Sequence, residues 1–288
     1  MQAFAGCLAR EPHEIGRAKL ALIGLPDDSQ SSYRPGCAEA PARIRAAYNG
    51  ACYNACTELG VDLSGRVADL GDQPGRATWE DTANAYRLFL ESVLRRGSIP
   101  FVLGGDHAVT VPVVAALAVL QKPIHVVQFD AHPDLYDVFE ENRWSHACTA
   151  ARLLEMPHVR QLTQVGVRTF NPPQRETAER FAGKLQIVEA RRFSPEAVTL
   201  EPAEAVYLSV DVDVFDPAFA PGVSHPVPGG LSARQVLDIL HALEGQLVGM
   251  DVVEVNPRLD RNGQTAVLAG LLLHEGMGQA WTQLGEAS

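Results

Sequence analysis

Ile124-His125-Val126-Val127-Gln128-Phe129-Asp130-Ala131-His132-Pro133-Asp134 is the stretch on which the reading of this chain turns. Its first six residues are mostly apolar and rich in β-branched side chains, the signature of a short buried strand. Three residues able to bind a metal follow at once: Asp130, His132 and Asp134. The pattern returns where Ala205-Val206-Tyr207-Leu208-Ser209-Val210 runs into Asp211-Val212-Asp213, and again where Ile99 to Leu103 runs into Gly104-Gly105-Asp106-His107. Residues i and i+2 of a strand share a face, so each set of ligands converges if its strand continues. Open α/β sheets bind ligands at the carboxyl ends of their strands, and all three clusters fall there. Any one of these carboxylates alone also fits a loop residue capping a helix. Three such segments at one sheet edge fit a site.

Crowded carboxylates repel each other and are costly to bury unless a cation compensates. His107, Asp130, His132, Asp134, Asp211 and Asp213 are more than one ordinary metal site needs and suit two ions sharing bridging carboxylates. Hard oxygen donors with a minority of imidazole favour Mn²⁺ over a thiolate-rich zinc site.

Outward from these clusters, strand and helix signals alternate. Strands are expected at Lys19–Leu25, Arg66–Leu70, Ile99–Leu103, Ile124–Phe129, Gln164–Val167, Ala205–Val210 and Val248–Val255. Helices are expected after Gly36 with Pro41 in the first turn, at Trp79–Arg95, Val111–Leu120, Thr149–Glu155 and Pro173–Phe181, after Ser232, and from Thr265 to Leu273. A long Pro/Gly loop spans Asp216 to Gly230. This alternation predicts an α/β fold of three layers, a mostly parallel central sheet with helices on both faces and right-handed connections. No linker or repeat divides residues 1–288, so a single domain is expected.

The 24 basic and 35 acidic residues leave a net charge of -11, which disfavours nucleic acid and anionic membranes and draws small cations toward an acidic cleft. No apolar run approaches a membrane span. The five cysteines, Cys7, Cys37, Cys52, Cys56 and Cys148, lack paired zinc spacing, and no basic-then-apolar leader opens the sequence, so a reducing cytoplasm is expected. Cys52 and Cys56 are spaced for one helical face, where packing is their expected role.

The residue chemistry points to a hydrolase. Two ions a few ångströms apart can hold a bridging water and lower its pKa for attack on carbon or phosphorus. Phosphate chemistry wants cationic groups, whereas acid flanks these segments. Asp251-Val252-Val253-Glu254-Val255-Asn256-Pro257 adds Glu254, a carboxylate outside the six ligands. Such a group suits a planar cation that it can clasp with two hydrogen bonds, and guanidinium has that geometry.

Gly104-Gly105-Asp106-His107, Asp130-Ala-His132-Pro-Asp134 and Ser209-Val-Asp211-Val-Asp213, followed by Asp216-Pro217, Pro221-Gly222 and Gly229-Gly230, resemble the three signatures of the arginase/agmatinase (ureohydrolase) family. The resemblance extends from Arg34-Pro-Gly36 to Val253-Glu254-Val255-Asn256-Pro257. Asn142-Arg-Trp-Ser-His146 and Pro221-Gly-Val-Ser-His225 are more similar to plant-type arginases and bacterial agmatinase-like proteins than to animal arginases. The resemblance implies an arginase-like fold and two Mn²⁺, one held by His107, Asp130, Asp134 and Asp211 and the other by Asp130, His132, Asp211 and Asp213. It further implies that Asp134 orients the attacking hydroxide, Glu254 pairs with the guanidinium and His146 relays protons. The expected products are urea and an amine, and the expected assembly is a trimer or hexamer.

Agmatine, yielding putrescine, is the expected substrate, with arginine the nearest rival and other guanidino acids behind it. Animal arginases carry an Asn just after the Asp-Ala-His-x-Asp run to hold the α-carboxylate, where this chain has Tyr136. An acidic tail would want Arg34 or Arg143. His225 either faces the substrate tail or bonds its own loop. His146 also fits a surface residue at a helix start, and His125, facing away from the ligands, reads as structural. His13, His158, His241 and His274 read as surface or packing residues, and Ser209 as a strand residue. A catalytically silent relative would show loss of a ligand or of Glu254, and none is lost.

Overall fold

The structure, a computed structural model, describes residues 4–8, 18–194, 198 and 204–285. Its strands are β1 (Leu20–Leu25), β2 (Val67–Asp72), β3 (Ile99–Gly104), β4 (Ile124–Phe129), β5 (Val159–Val167), β6 (Leu185–Glu189), β7 (Ala205–Asp211) and β8 (Gln246–Val253). They form one sheet in the order β2-β1-β3-β8-β7-β4-β5-β6, with every neighbouring pair parallel. The α-helices are α1 (Ala40–Ala47), α2 (Trp79–Arg95), α3 (Thr110–Ala116), α4 (Thr149–Glu155), α5 (Pro172–Arg180), α6 (Ala233–His241) and α7 (Gln264–Gln283).

Alternation along the central strands builds two cores. In β4, Val127 and Phe129 pack with residues of α1, α6 and α7, whereas Ile124 and Val126 pack with residues of α2, α3 and α4 on the other face. Both faces of the strand are therefore dry, which is why it reads as a continuous apolar run. Helix starts follow their capping chemistry: Thr78 accepts from the Asp81 amide at the head of α2, and Ser232 and Gln235 form a capping box on α6.

After β3 the chain places β4 beyond two strand positions that β7 and β8 later fill. Consequently the carboxyl ends of β3, β8, β7 and β4 stand side by side, although they are far apart in sequence. This juxtaposition makes one site out of four segments.

Several elements differ from the sequence expectation. β5 begins at Val159, and β6, at the sheet edge with mostly half-buried residues, lacks the apolar run that would announce it. α7 continues through Gly270, Gly276 and Gly278 to Gln283. Those glycines are positions of close packing, since a Cβ would lie 2.4 Å from Tyr48, 2.5 Å from Met250 Sδ and 2.5 Å from Thr57 respectively. Cys52 and Cys56 are exposed, the first in a turn and the second in an isolated β-bridge with Asp62, so the expectation that they pack on one helical face is corrected. β4 stops at Phe129, and Asp130 to Asp134 therefore lie on irregular backbone beyond the strand.

Candidate metal centre and substrate pocket

Three loops and one tight turn bring the predicted ligands together. Gly105 allows the approach beyond β3: a Cβ there would lie 1.9 Å from the Asp27 carbonyl oxygen. Asp106 then caps the short turn that carries His107, accepting from the Ala108 amide at 3.0 Å. Beyond β4, Asp134 takes φ 48°, and beyond β8, Glu254 takes φ 64°. Non-glycine residues in this left-handed region carry backbone strain, which is concentrated at sites where geometry matters. Beyond β7, Asp211 accepts from the Asp213 amide at 2.8 Å, and Asp213 accepts from the Ala131 amide at 3.0 Å, stitching the β7 loop to the β4 loop.

The six ligands form two groups. His107 Nδ1 lies 3.2 Å from Asp130 Oδ2, 3.1 Å from Asp134 Oδ2 and 3.3 Å from Asp211 Oδ2. His132 Nδ1 lies 2.8 Å from Asp213 Oδ2 and 3.7 Å from Asp130 Oδ1. Ligand atoms of His107, Asp130 and Asp211 lie within 4.8 Å of one another, as do those of Asp130, His132 and Asp213. Asp130 is common to both groups, whereas Asp211 belongs at that spacing to the His107 group and not to the His132 group.

Hydrogen bonding shows that the first group fits a cation. Ser209 Oγ donates to Asp251 Oδ1 at 2.7 Å, so the ring Nε2 of His107, 3.1 Å from Ser209 Oγ, must be the donor in that contact. His107 Nδ1 is buried with no hydrogen-bond partner, and in that tautomer its lone pair points at three carboxylates. A divalent ion removes the repulsion and satisfies the orphaned nitrogen. Ser209 is thus a strand residue that orients a ligand, consistent with its reading as no nucleophile.

The acid groups respond to the same crowding. Burial and then the charge of Asp130 push Asp134 up to about 6, and burial followed by Asp213 and Asp130 pushes Asp211 well above the carboxylate range. Burial would lower His132, but Asp213 and Asp130 outweigh it and raise the ring to about 12.

Glu254 stands beside the six ligands and closes a second set of contacts. Its Oε1 accepts from the His107 amide at 2.9 Å and lies 2.8 Å from His146 Nδ1, while its Oε2 accepts from the Cys37 thiol at 3.5 Å. The Ser32 amide points at His146 Nε2 at 3.2 Å, so Nδ1 carries the proton shared with Glu254. His146 is buried, yet its other nitrogen also lies 2.8 Å from the hydroxyl of exposed Ser32. One imidazole therefore links the interior of the pocket to its rim.

A cavity of about 230 Å³ opens over these groups and is lined by His132, Asp134, Asp211, Asp213, His146, His225, Glu254 and Tyr136. Sequence reasoning missed Ser32, Phe139, Thr169, Asn171 and Gln174, which also line it. Asn171 donates to the Tyr136 hydroxyl and caps α5; its position before Pro172-Pro173 marks a helix start but carries no signal for a pocket. Arg34 and Arg143 are corrected as tail-binding residues. Neither lines the cavity: Arg34 stacks on Tyr33, and Arg143 pairs with Glu155 at 3.2 Å. His125 is structural, bonded to Thr163 at 2.8 Å. His241 and His274 prove to have specific partners, Glu275 at 2.9 Å and Tyr48 at 2.9 Å. His158 meets the Val114 carbonyl at 2.9 Å, and His13 lies outside the described residues.

Comparison with known proteins decides what this geometry belongs to. The description "Arginase family" matches residues 18–278. The chain belongs to the arginase family. It is 42% identical over 276 residues to "Arginase 1, mitochondrial" of Arabidopsis thaliana, covering 90% of this chain and 80% of that protein. It is 33% identical to a guanidinopropionase of Pseudomonas aeruginosa, covering 89% and 85% of the two chains. The crystal structure of agmatine ureohydrolase of Thermoplasma volcanium superimposes with a TM-score of 0.86 at 31% identity, covering 100% of this chain and 97% of that one.

An arginase-family chain is a metal-dependent hydrolase of C–N bonds in small amidine substrates, and the clustered His and Asp ligands agree with that chemistry. The cytoplasmic expectation is corrected, because similar plant arginases bear the names mitochondrial and chloroplastic/mitochondrial. Free cysteines do not single out the cytoplasm. No helix among the described residues is long and apolar enough to cross a membrane.

Proposed function

We propose that this arginase-family chain is a binuclear manganese ureohydrolase that cleaves the guanidino group of arginine to urea and ornithine. Arginine replaces agmatine as the first choice because the similarity to proteins named arginase, at 42% identity, exceeds that to the agmatine ureohydrolase, at 31%. The observation that carries the guanidino reading is Glu254, a buried carboxylate beside the cation ligands with Oε2 held only by a weak thiol donor. That oxygen is open to a planar guanidinium, and Oε1 becomes the second acceptor of the clasp when His146 passes on the proton it shares there.

Residues His107, Asp130, Asp134 and Asp211 are assigned to one Mn²⁺, and Asp130, His132, Asp211 and Asp213 to the other. Two such ions would supply a water of lowered pKa next to the guanidino carbon. Asp134 orients that water through a free carboxylate oxygen and takes its remaining proton. The water oxygen adds to the guanidino carbon, and the bond from that carbon to the alkyl-bearing nitrogen then breaks, its electron pair staying on the nitrogen. That nitrogen takes a proton relayed by His146 from the pocket rim, so urea and a primary amine depart. Tyr136 and His225 are assigned to the substrate tail, with Asn171 beside Tyr136 as a neutral donor for a carboxylate.

A second reading, hydrolysis of a shorter guanidino acid, is favoured by the 33% identity to guanidinopropionase. Urea release by the manganese-loaded protein from arginine, agmatine and 3-guanidinopropionate decides among them. The reading fails if none of the three yields urea. We also read residues 1–288 as one ureohydrolase domain that assembles as a trimer or hexamer, on the strength of the family resemblance.

A further inference from the structure

His225 is the pocket residue that the proposed reaction uses least, and its surroundings suit a second role beside the substrate tail. Its ring centroid lies 5.2 Å from that of His146, 6.0 Å from that of His132 and 5.4 Å from that of Tyr33. Among the described residues neither of its ring nitrogens makes a hydrogen bond. One ligand atom each from His146, His225 and Glu254 lies within 4.8 Å of the other two. We propose that Glu254, His146 and His225 form a third metal site, selective for zinc-like ions, whose occupation shuts the guanidinium out of the pocket.

Two imidazoles and one glutamate make up a recurrent ligand set for zinc, with a fourth position left to water. The six-residue cage is different chemistry: four of its donors are carboxylates, which suit Mn²⁺. The protein therefore separates the two ions by donor type. Zinc–nitrogen bonds of roughly 2.0–2.1 Å put tetrahedral ligand atoms about 3.4 Å apart, so His146 Nδ1 and Glu254 Oε1, 2.8 Å apart, must open slightly while His225 adjusts toward them. His225 can supply that movement, being partly exposed on a loop and free of hydrogen bonds. His146 gives up the proton it shares with Glu254, and the ion takes that place between them.

The inference rests on the assignment of Glu254 to the guanidinium, because the same carboxylate cannot serve both. Its test therefore reads metal content as well as rate. Manganese-loaded protein and its His225→Ala and His225→Asn variants are equilibrated with Zn²⁺, and bound Mn and Zn are measured per chain by elemental analysis. The parent should keep both manganese ions and add one zinc, while a folded variant adds none at the same concentration. Zinc should raise KM for the guanidino substrate without lowering kcat, and loss of His225 should weaken that inhibition at least about tenfold, since even outer partners of metal ligands are worth 10–100-fold in affinity. Methylguanidine should expel the third ion.

Zinc replacing manganese one for one would overturn the inference, as would equal uptake of a third ion by the His225 variants. A protein that releases no urea but still takes up a His225-dependent zinc would sink the proposed reaction and leave the third site standing. Urea release without zinc uptake would do the opposite.

Discussion

Glu254 separates metal binding from substrate binding because its carboxylate is anchored by the His107 amide and His146 and lies outside both ligand groups. Glu254→Gln should keep both manganese ions while losing the charge that clasps the guanidinium. Removing one partner of a buried charge pair costs about 2–5 kcal/mol, which predicts a rate loss of roughly thirtyfold to several thousandfold. Urea assays alongside elemental analysis check this, and a rate within about a factor of two of the parent would refute the assignment. The ligands themselves are unequal. Asp130 belongs to both groups and Asp213 to one, so Asp130→Ala should retain less metal than Asp213→Ala; equal retention would show that Asp130 does not bridge. All of these residues were visible in the sequence as chemical types at strand ends. The pairing of Glu254 with His146 was not, since no spacing rule relates positions so far apart, and neither was the free state of His225.

Strands and helices carry their own titration behaviour through buried histidines. His125 in β4 and His274 in α7 are both held below the ordinary histidine value of 6.5, in each case chiefly by burial. A depressed folded-state pKa means that the unfolded chain binds protons first as the pH falls. Their contribution to stability is therefore present above about pH 6.5 and is lost as the pH falls through their folded values. Thermal unfolding followed from pH 8 downward should show a melting temperature that declines below about pH 6.5, and His274→Gln should decline less steeply. A parallel decline in the variant would assign the effect elsewhere. α2, with clear apolar periodicity and its Thr78 cap, agrees with the sequence expectation at both ends, and so does α4, which has no side-chain cap. The misses have local causes: β6 is a half-buried edge, and the glycines of α7 imitate breakers while meeting Tyr48, Met250 and Thr57.

For the molecule as a whole, the cage joins the ends of three central strands, β3, β7 and β4, so cations held there should act as cross-links between segments distant in sequence. Removing them with a chelator should lower the melting temperature, and Mn²⁺ should restore it, a hundredfold excess over the dissociation constant contributing about 2.7 kcal/mol. An unchanged melting temperature would show that the native state holds no ion there. Light scattering should report a trimer or hexamer, and a monomer at all concentrations would refute that assembly. By itself the sequence determined the α/β class and pointed to six candidate ligands and a spare carboxylate, because burial of alternating apolar residues and the cost of crowded charge are written in local composition. Tertiary structure alone decided which candidate ligands stand together, that Asp130 to Asp134 converge on a loop, that no arginine among the described residues lines the pocket, and that His146 and His225 meet over Glu254. Those facts depend on the insertion of β7 and β8 between β3 and β4, and strand order is set by packing of the whole chain, which no local pattern encodes.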